Sequence, residues 1–125
     1  MAKIFVDVNC LIDISENRHN PAIDVLDAHH TFISTLAVHI LCYLTKRRIP
    51  DQALNQLLSS FLVVNFNNDI LNKSLMGPTF DFEDNVQLHS AAEAEADYFL
   101  TSDKALLKMK FFGKAKIISE MESKI

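Results

Sequence analysis

Apolar residues occur along the chain in two patterns, one typical of strands and one typical of helices. Short continuous apolar runs predict five strands, at residues 3–6, 31–34, 62–66, 97–102 and 115–119. Between these runs apolar residues recur at helical spacing, which predicts helices at residues 8–16, 21–30, 34–48, 50–61, 67–76, 81–96 and 103–110, with a terminal helical turn at 120–125. Because parallel strands need crossover connections, the alternation predicts an α/β fold of three layers, α/β/α, with a mostly parallel sheet of about five strands.

Length and composition indicate one globular domain over residues 1–125. Hydrophobic residues make up 49% of the chain and charged residues 22%, which excludes a disordered protein. No apolar run approaches the ~20 residues that span a bilayer, and the N-terminus lacks the pattern of a signal peptide. We therefore expect no membrane association. Cys10 and Cys42 have no metal-site spacing, so we expect both to be buried free thiols in a reducing cytoplasm.

Charge is unevenly distributed although the net charge is only -4. Seven acidic residues and no Lys or Arg fall between Asp81 and Asp103, and six of the twelve basic residues follow between Lys104 and Lys124. An acidic segment beside a basic one suits a site that holds divalent cations next to an anionic ligand. Two solvated faces of opposite sign are the simpler alternative.

Three groups of acids are predicted to meet at one edge of the sheet. Asp7 ends the first predicted strand, Asp103 follows the fourth, and Asp81 and Asp84 begin the helix at 81–96. Ligands of open parallel sheets bind beyond the carboxyl ends of the strands. Carboxylates this close raise one another's pKa unless a cation such as Mg²⁺ or Mn²⁺ lies between them. We therefore expect a metal site suited to phosphodiester hydrolysis, with Asp7, Asp84 and Asp103 as catalytic ligands and Asp81 as a further candidate.

Each acid also has a simpler interpretation as a helix cap. Asp7 and Asp103 could each cap the helix that follows them, and Asp81 with Asp84 three residues later is close to a capping box. The predicted convergence favours the ligand role for Asp7, Asp84 and Asp103, whereas the two interpretations of Asp81 are evenly matched.

Polar residues next to the acids could support the site. Asn9, Thr101 and Ser102 could orient a water molecule or contact a phosphate. Glu83 is expected to face solvent, and Asp13 is expected to have a surface or secondary role.

The histidines are weaker candidates for chemistry. His39 lies in a nearly all-apolar helical run and is predicted to be a satisfied core residue, while His89 is expected to border the acidic site without filling it. The sequence has no Ser-His-Asp or Cys-His arrangement, no zinc-ligand spacing and no glycine-rich phosphate loop.

Residues 5–13, FVDVNCLID, and residues 81–103, DFEDNVQLHSAAEAEADYFLTSD, together resemble the PIN domain family. The resemblance covers nearly the whole chain and is greatest for small bacterial PIN proteins. It implies an acidic pocket that binds Mg²⁺ or Mn²⁺ and cleaves RNA, in which Asp7 looks like the first acid, Asp84 the third and Asp103 the fourth. Many such proteins are VapC-like toxins with a cognate antitoxin, and dimers are common among them.

One position departs from the pattern of that family. Its members commonly have a second acid in the helix after the second strand, but residues 34–44 contain no acid, and the nearest positions hold His39 and Ile40. Without this carboxylate the site carries less negative charge. Whether Asp81, Asn9 or water takes its place stays open.

Three functional hypotheses follow. The first is a metal-dependent endoribonuclease, the toxin of a toxin–antitoxin pair, whose RNA contacts Lys104, Lys108 and Lys110. The second is a degenerate PIN domain that binds RNA or a protein partner without cleavage. The third, ranked lower, is a phosphoryl-handling α/β domain, such as a receiver or a phosphatase that uses an aspartyl nucleophile. An antitoxin and a second copy of the chain are further expected partners.

Overall fold

The computed structural model describes residues 1–18 and 26–120. Within these ranges the strands are β1 Lys3–Val6, β2 His30–Ser34, β3 Leu62–Val64, β4 Tyr98–Leu100, β5 Phe111–Phe112 and β6 Ala115–Ile118. The α-helices of the same ranges are α1 Val8–Ser15, α2 Thr35–Thr45, α3 Gln52–Leu58, α4 Asn68–Met76, α5 Phe82–Glu93 and α6 Lys104–Met109, and a short 3-10 turn spans Leu26–Ala28.

The six strands form one sheet in the order β3-β2-β1-β4-β6-β5. All neighbouring pairs are parallel except β5 and β6, which form an antiparallel hairpin. The chain builds the sheet outward from β1 to β3 and then returns to place β4 on the other side of β1. The strand order therefore reverses at β1 and β4, which is where open α/β sheets bind ligands, beyond the carboxyl ends of these strands.

Two hydrophobic cores cover the two faces of the sheet, because side chains alternate between faces along each strand. Ile4 and Val6 of β1 pack with α1 and α2 on one face, through residues such as Leu11 and Leu41. Phe5 points to the other face, where it packs with α5 and α6, and its ring stacks on Phe99 of β4 with centroids 5.5 Å apart. The predicted three-layer α/β/α architecture is confirmed.

The sheet has six strands where the sequence predicted about five. The additional strand, β5, has only two residues and lies between the predicted helix at 103–110 and the predicted strand at 115–119. That helix ends at Met109 because Lys110 adopts a positive φ of 67°, and Gly113 with φ of 60° then forms the turn of the β5–β6 hairpin. Short strands of this kind give no periodic signal.

Two other predicted elements differ in extent or lie partly outside the described residues. The predicted strand at 62–66 ends at Val64. The predicted helix at 21–30 falls largely on residues that are not described, and its described part is the 3-10 turn followed by β2 from His30. The predicted terminal turn at 120–125 is also outside the described residues, except for Glu120.

Other expectations from the sequence can be compared directly with the described residues. No helix in these ranges is both long and apolar enough to span a membrane. Cys10 is buried and Cys42 is partly buried, and both are free thiols. His39, in contrast, was predicted to be a core residue and is exposed. The prediction was wrong because α2 turns Ala37, Ile40 and Leu41 inward and leaves His39 on the opposite side.

Candidate active site

Asp7 lies at the carboxyl end of β1 and is only 3% exposed. Its Oδ1 accepts hydrogen bonds from the Val8 N–H at 2.8 Å and from Gln87 Nε2 at 3.2 Å, and its Oδ2 accepts from the Thr101 hydroxyl at 2.7 Å. Burial raises the pKa of the Asp7 carboxyl, although the three hydrogen bonds favour its charged form, and the charge of Asp103 adds to the increase. Asp7 is also the N-cap of α1, so the simpler interpretation of this residue holds as well.

Thr101 connects Asp7 to Asp103 at the end of β4. The Thr101 side chain is fully buried, and its Oγ1 accepts a hydrogen bond from the Asp103 N–H at 3.0 Å while it donates to Asp7. Asp103 Oδ1 accepts from the N–H groups of Ala105 and Leu106 and thereby caps α6. The other carboxylate oxygen of Asp103 has no hydrogen-bond partner among the described residues. Ser102 is exposed.

Asp84 lies in the first turn of α5, where several other acids act on it. Burial raises the pKa of its carboxyl to about 6, and the charges of Asp81, Asp103, Asp7 and Glu83 add to the increase in that order. The structure therefore brings Asp7, Asp84 and Asp103 within electrostatic range of one another, although they are far apart in sequence. Asp81 is exposed and its Oδ1 caps α5 by accepting from the Asp84 N–H at 3.0 Å. Glu83 is exposed, as expected.

None of these acids is neutralised by a cationic side chain in the part of the chain that the structure describes. The ion pairs found there involve other acids, namely Asp13, Asp51, Asp69 and Asp97. Asp13 pairs with Arg18 at 3.1 Å, in agreement with a surface role. The acidic cluster therefore keeps an excess of negative charge.

Gln87 and Ser34 are two site residues that the sequence analysis missed. Gln87, 1% exposed, donates from Nε2 to Asp7, and its Oε1 accepts a hydrogen bond from the Ser34 hydroxyl. Ser34 ends β2 and also accepts from the Ala37 N–H at 3.0 Å, as the N-cap of α2. The spacing of Asp84 and Gln87, three residues apart on one helix face, was the available signal.

Asn9 adds a further oxygen to the list of candidate ligands. It is partly buried in the first turn of α1, two residues after Asp7. Its Oδ1 is inaccessible to solvent and has no hydrogen-bond partner among the described residues. A buried acceptor of this kind commonly indicates a ligand, an ion or an ordered water in the functional protein.

The donor atoms at this edge fit a hard cation that keeps part of its hydration shell. Among residues 1–18 and 26–120, no three His, Cys, Asp or Glu side chains form a group that could enclose a metal ion. Mg²⁺, however, is commonly bound through one or two carboxylates and retains several water molecules. Asp7, Asp84, Asp103 and the Asn9 amide offer only oxygen, the ligand type that Mg²⁺ and Mn²⁺ prefer.

The contacts of His89 are with residues outside the acidic cluster. Its Nε2 lies 2.8 Å from the Gly77 carbonyl oxygen, and its ring meets the ring of Phe112 edge to face at 5.0 Å. These contacts hold His89 against the turn between α4 and α5.

The three lysines proposed to bind RNA, Lys104, Lys108 and Lys110, are all exposed. Lys104 is the first residue of α6 and directly follows Asp103, and Lys108 lies one helical turn further. Two other basic residues are paired elsewhere, Arg47 with Asp51 at 3.0 Å and Lys114 with Asp97 at 3.4 Å. Lys104 is adjacent in sequence to an acid of the cluster.

Comparison with known proteins supports the fold. No protein-family model and no curated protein matches the chain. A chain of the crystal structure of VapBC2 from Rickettsia felis, bound to a DNA fragment from their promoter, is similar with a TM-score of 0.67 and 14% identity. The match covers 93% of this chain and 97% of that one. At this identity the similarity shows the fold alone, a three-layer α/β/α fold of the PIN-like type.

We expect the contribution of Asp84 to the stability of the metal-free protein to fall as the pH rises from about 4 to about 7. The pKa of Asp84 is about 6 in the folded protein and about 3.8 in the unfolded chain, so the folded state holds more protons in this interval and is destabilised as they leave. Asp84→Asn removes this charge. Its Tm in EDTA should exceed that of the wild type by roughly 2–5 °C at pH 7 and by less at pH 4.5.

The control for this measurement is Asp69→Asn, because Asp69 is an exposed acid paired with Lys73 at 2.9 Å. Its Tm at pH 7 should equal that of the wild type or lie slightly below it. A Tm increase for Asp84→Asn that is the same at both pH values would contradict the repulsion described here.

Proposed function

We propose that this protein is a metal-dependent endoribonuclease that hydrolyses RNA at the acidic edge of its sheet with Mg²⁺ or Mn²⁺. The observation that supports this proposal is the raised pKa of Asp84, about 6, caused by burial and by the neighbouring carboxylates. No cationic side chain among the described residues offsets their charge. Acids that repel one another at a ligand-binding edge cost stability, and such sites are characteristic of function.

Asp7, Asp84 and Asp103 would hold the cation, with Asn9 as a fourth oxygen donor. Asp7 is held in one orientation by its three hydrogen bonds, and Asp103 keeps one carboxylate oxygen that α6 does not use. When bound, the cation supplies a Lewis acid that lowers the pKa of a water molecule and offsets charge on the scissile phosphate. Because Asp84 must lose its proton to take part, the affinity of the protein for the cation should weaken as the pH falls below about 6.

Lysines beside the acids would hold the RNA backbone. Lys104 follows Asp103 directly, and Lys108 and Lys110 extend the exposed positive charge along α6. Phosphate contacts of this kind are independent of sequence and weaken with salt. They would place a phosphodiester over the carboxylates without selecting a particular base, so the proposed substrate class is unstructured RNA.

The toxin role is the more specific part of the proposal. The similar fold of a chain in VapBC2, of which 97% is covered, supports a VapC-like toxin whose partner is a cognate antitoxin. Dimer formation remains a prediction from the sequence alone.

Two observations favour the alternative, a PIN-like domain that binds RNA or a protein without cleaving RNA. The described residues hold no ready-made group of three metal-ligating side chains. In addition, α2 contributes no acid, since residues 34–44 contain none. A site with fewer carboxylates binds a cation more weakly, and a sufficiently weak site would leave a binding protein.

Cleavage of a fluorescent single-stranded RNA in the presence of Mn²⁺ separates these two functions. We expect the wild type to cleave, and Asp7→Asn and Asp84→Asn each to lower kcat by at least about 100-fold, because each removes a charged ligand. Asp69→Asn, which changes an exposed acid outside the cluster, should cleave like the wild type. Binding of RNA without cleavage by the wild type at saturating Mn²⁺ would favour the alternative.

Expression in a bacterial host tests the toxin role. Induction of the wild type should stop growth, because RNA cleavage in the cell blocks translation, whereas Asp84→Asn, which removes a candidate ligand and is expected to raise the Tm, should be tolerated. Asp69→Asn should remain toxic. Normal growth during accumulation of folded, cleavage-competent wild type would rule out the toxin role and leave the nuclease proposal in place.

A further inference from the structure

Two uncharged side chains join the carboxyl ends of β1 and β2 beneath the acidic cluster. Gln87 lies one turn after Asp84 on α5, and its amide bridges Asp7 at the end of β1 and Ser34 at the end of β2. Both bridging residues are almost completely buried. A buried amide that lacks partners costs free energy, so a glutamine at this position needs both of these contacts.

The direction of the hydrogen bonds fixes which end of the Gln87 amide faces Asp7. The Ser34 oxygen accepts from the Ala37 N–H at 3.0 Å, and its proton is donated to Gln87 Oε1. The amide NH₂ group of Gln87 is then directed at Asp7 Oδ1, at 3.2 Å. The reverse orientation would place Gln87 Oε1 against the carboxylate oxygen, where two acceptors repel each other. The Asp7 carboxylate, which can only accept, thus sets the orientation of Gln87, and Ser34 holds the other end of the amide by donating to Oε1.

The hydrogen bonds to Asp7 leave one part of its carboxylate available. An ionised carboxylate has about four acceptor positions, two on each oxygen. Oδ1 uses both of its positions for Val8 and Gln87, whereas Oδ2 uses one for Thr101. The remaining acceptor position is on Oδ2.

We propose that Gln87, held by Ser34, is a positioning residue that occupies Asp7 Oδ1 and so directs Asp7 to bind the cation through Oδ2 alone. The inference rests on the proposed function, since it assumes that Asp7 is a metal ligand. Residues that orient metal ligands in this way typically contribute 10–100-fold to metal affinity. A purely structural glutamine would contribute to folding and leave the affinity of the folded protein unchanged.

The test uses Gln87→Met, which keeps the length and approximate volume of the side chain and removes both hydrogen bonds. The dissociation constant for Mn²⁺ is measured without RNA, by electron paramagnetic resonance of free Mn²⁺, on protein shown to be folded by circular dichroism. We expect affinity about 10–100-fold weaker than for the wild type, together with a lower kcat and an unchanged KM for RNA. The matched control is Gln56→Met, an exposed position on α3, which should bind Mn²⁺ like the wild type.

Nuclear magnetic resonance of the metal-free wild type tests the positioning contact separately from the metal site. The side-chain amide protons of Gln87 should exchange with solvent much more slowly than those of the exposed Gln52 and Gln56. Their signals should shift in Asp7→Asn and stay unchanged in Asp69→Asn. If Gln87→Met does not fold, the Mn²⁺ titration is made on Ser34→Ala, which removes the partner of Gln87 Oε1 and should also weaken Mn²⁺ binding.

The outcomes separate the two proposals. The wild type could bind no Mn²⁺ while the Gln87 amide protons exchange slowly with solvent and their signals respond to Asp7→Asn. In that case the hydrogen-bond arrangement stands, and the metal site, with Asp7 binding through Oδ2, is refuted. If folded Gln87→Met binds Mn²⁺ within twofold of the wild type, or if the Gln87 amide exchanges as fast as that of Gln56, the positioning role is overturned. Weakened Mn²⁺ binding together with a protected Gln87 amide supports it.

Discussion

A carboxylate placed between two neighbouring strands at the carboxyl edge of a buried sheet must have its oxygens satisfied, because burial penalises its charge. Asp7 is in this position, and burial raises the pKa of its carboxyl. The surrounding structure supplies donors from three elements, namely the first residue of α1, Thr101 after β4 and Gln87 from α5. These contacts connect the carboxyl ends of β1 and β4, where the strand order of the sheet reverses. The local fold and the proposed chemistry therefore both depend on the Asp7 carboxylate.

The hydrogen bonds to Asp7 stabilise the fold, whereas the repulsion between Asp7, Asp84 and Asp103 destabilises it. Each of these acids also has a place in a local helix, since Asp7 and Asp103 cap α1 and α6 and Asp84 lies in the first turn of α5. The caps stabilise the individual helices. Three acidic side chains nevertheless converge at the carboxyl edge of the sheet. Burial and the neighbouring charges raise the pKa of Asp84 to about 6. The interpretations of these residues as caps and as candidate ligands are therefore compatible. The helix caps fix the backbone, and the excess charge creates a place where a cation would be favourable.

Much of this site could be predicted from the sequence because strand ends and helix periodicity are local signals. Asp7 and Asp103 directly follow strands, and parallel strands bring their carboxyl ends to one edge. Gln87 could not be identified in the same way, because its partner Ser34 lies 53 positions away and the contact depends on how α5 packs over β2. His39 was misjudged because α2 is apolar on almost every side, so its pattern does not indicate which face is buried.

The central claim is that side chains at positions 7, 84 and 103 share a divalent cation. The most direct measurement is the anomalous scattering of Mn²⁺ in crystals grown with the metal, compared with crystals of Asp84→Asn grown under the same conditions. The account predicts an anomalous peak within about 2.5 Å of Asp7 Oδ2 that also contacts Asp84 or Asp103, and that is weakened or absent in the variant. A well-ordered acidic edge that contains water and no anomalous peak at saturating Mn²⁺ would contradict it.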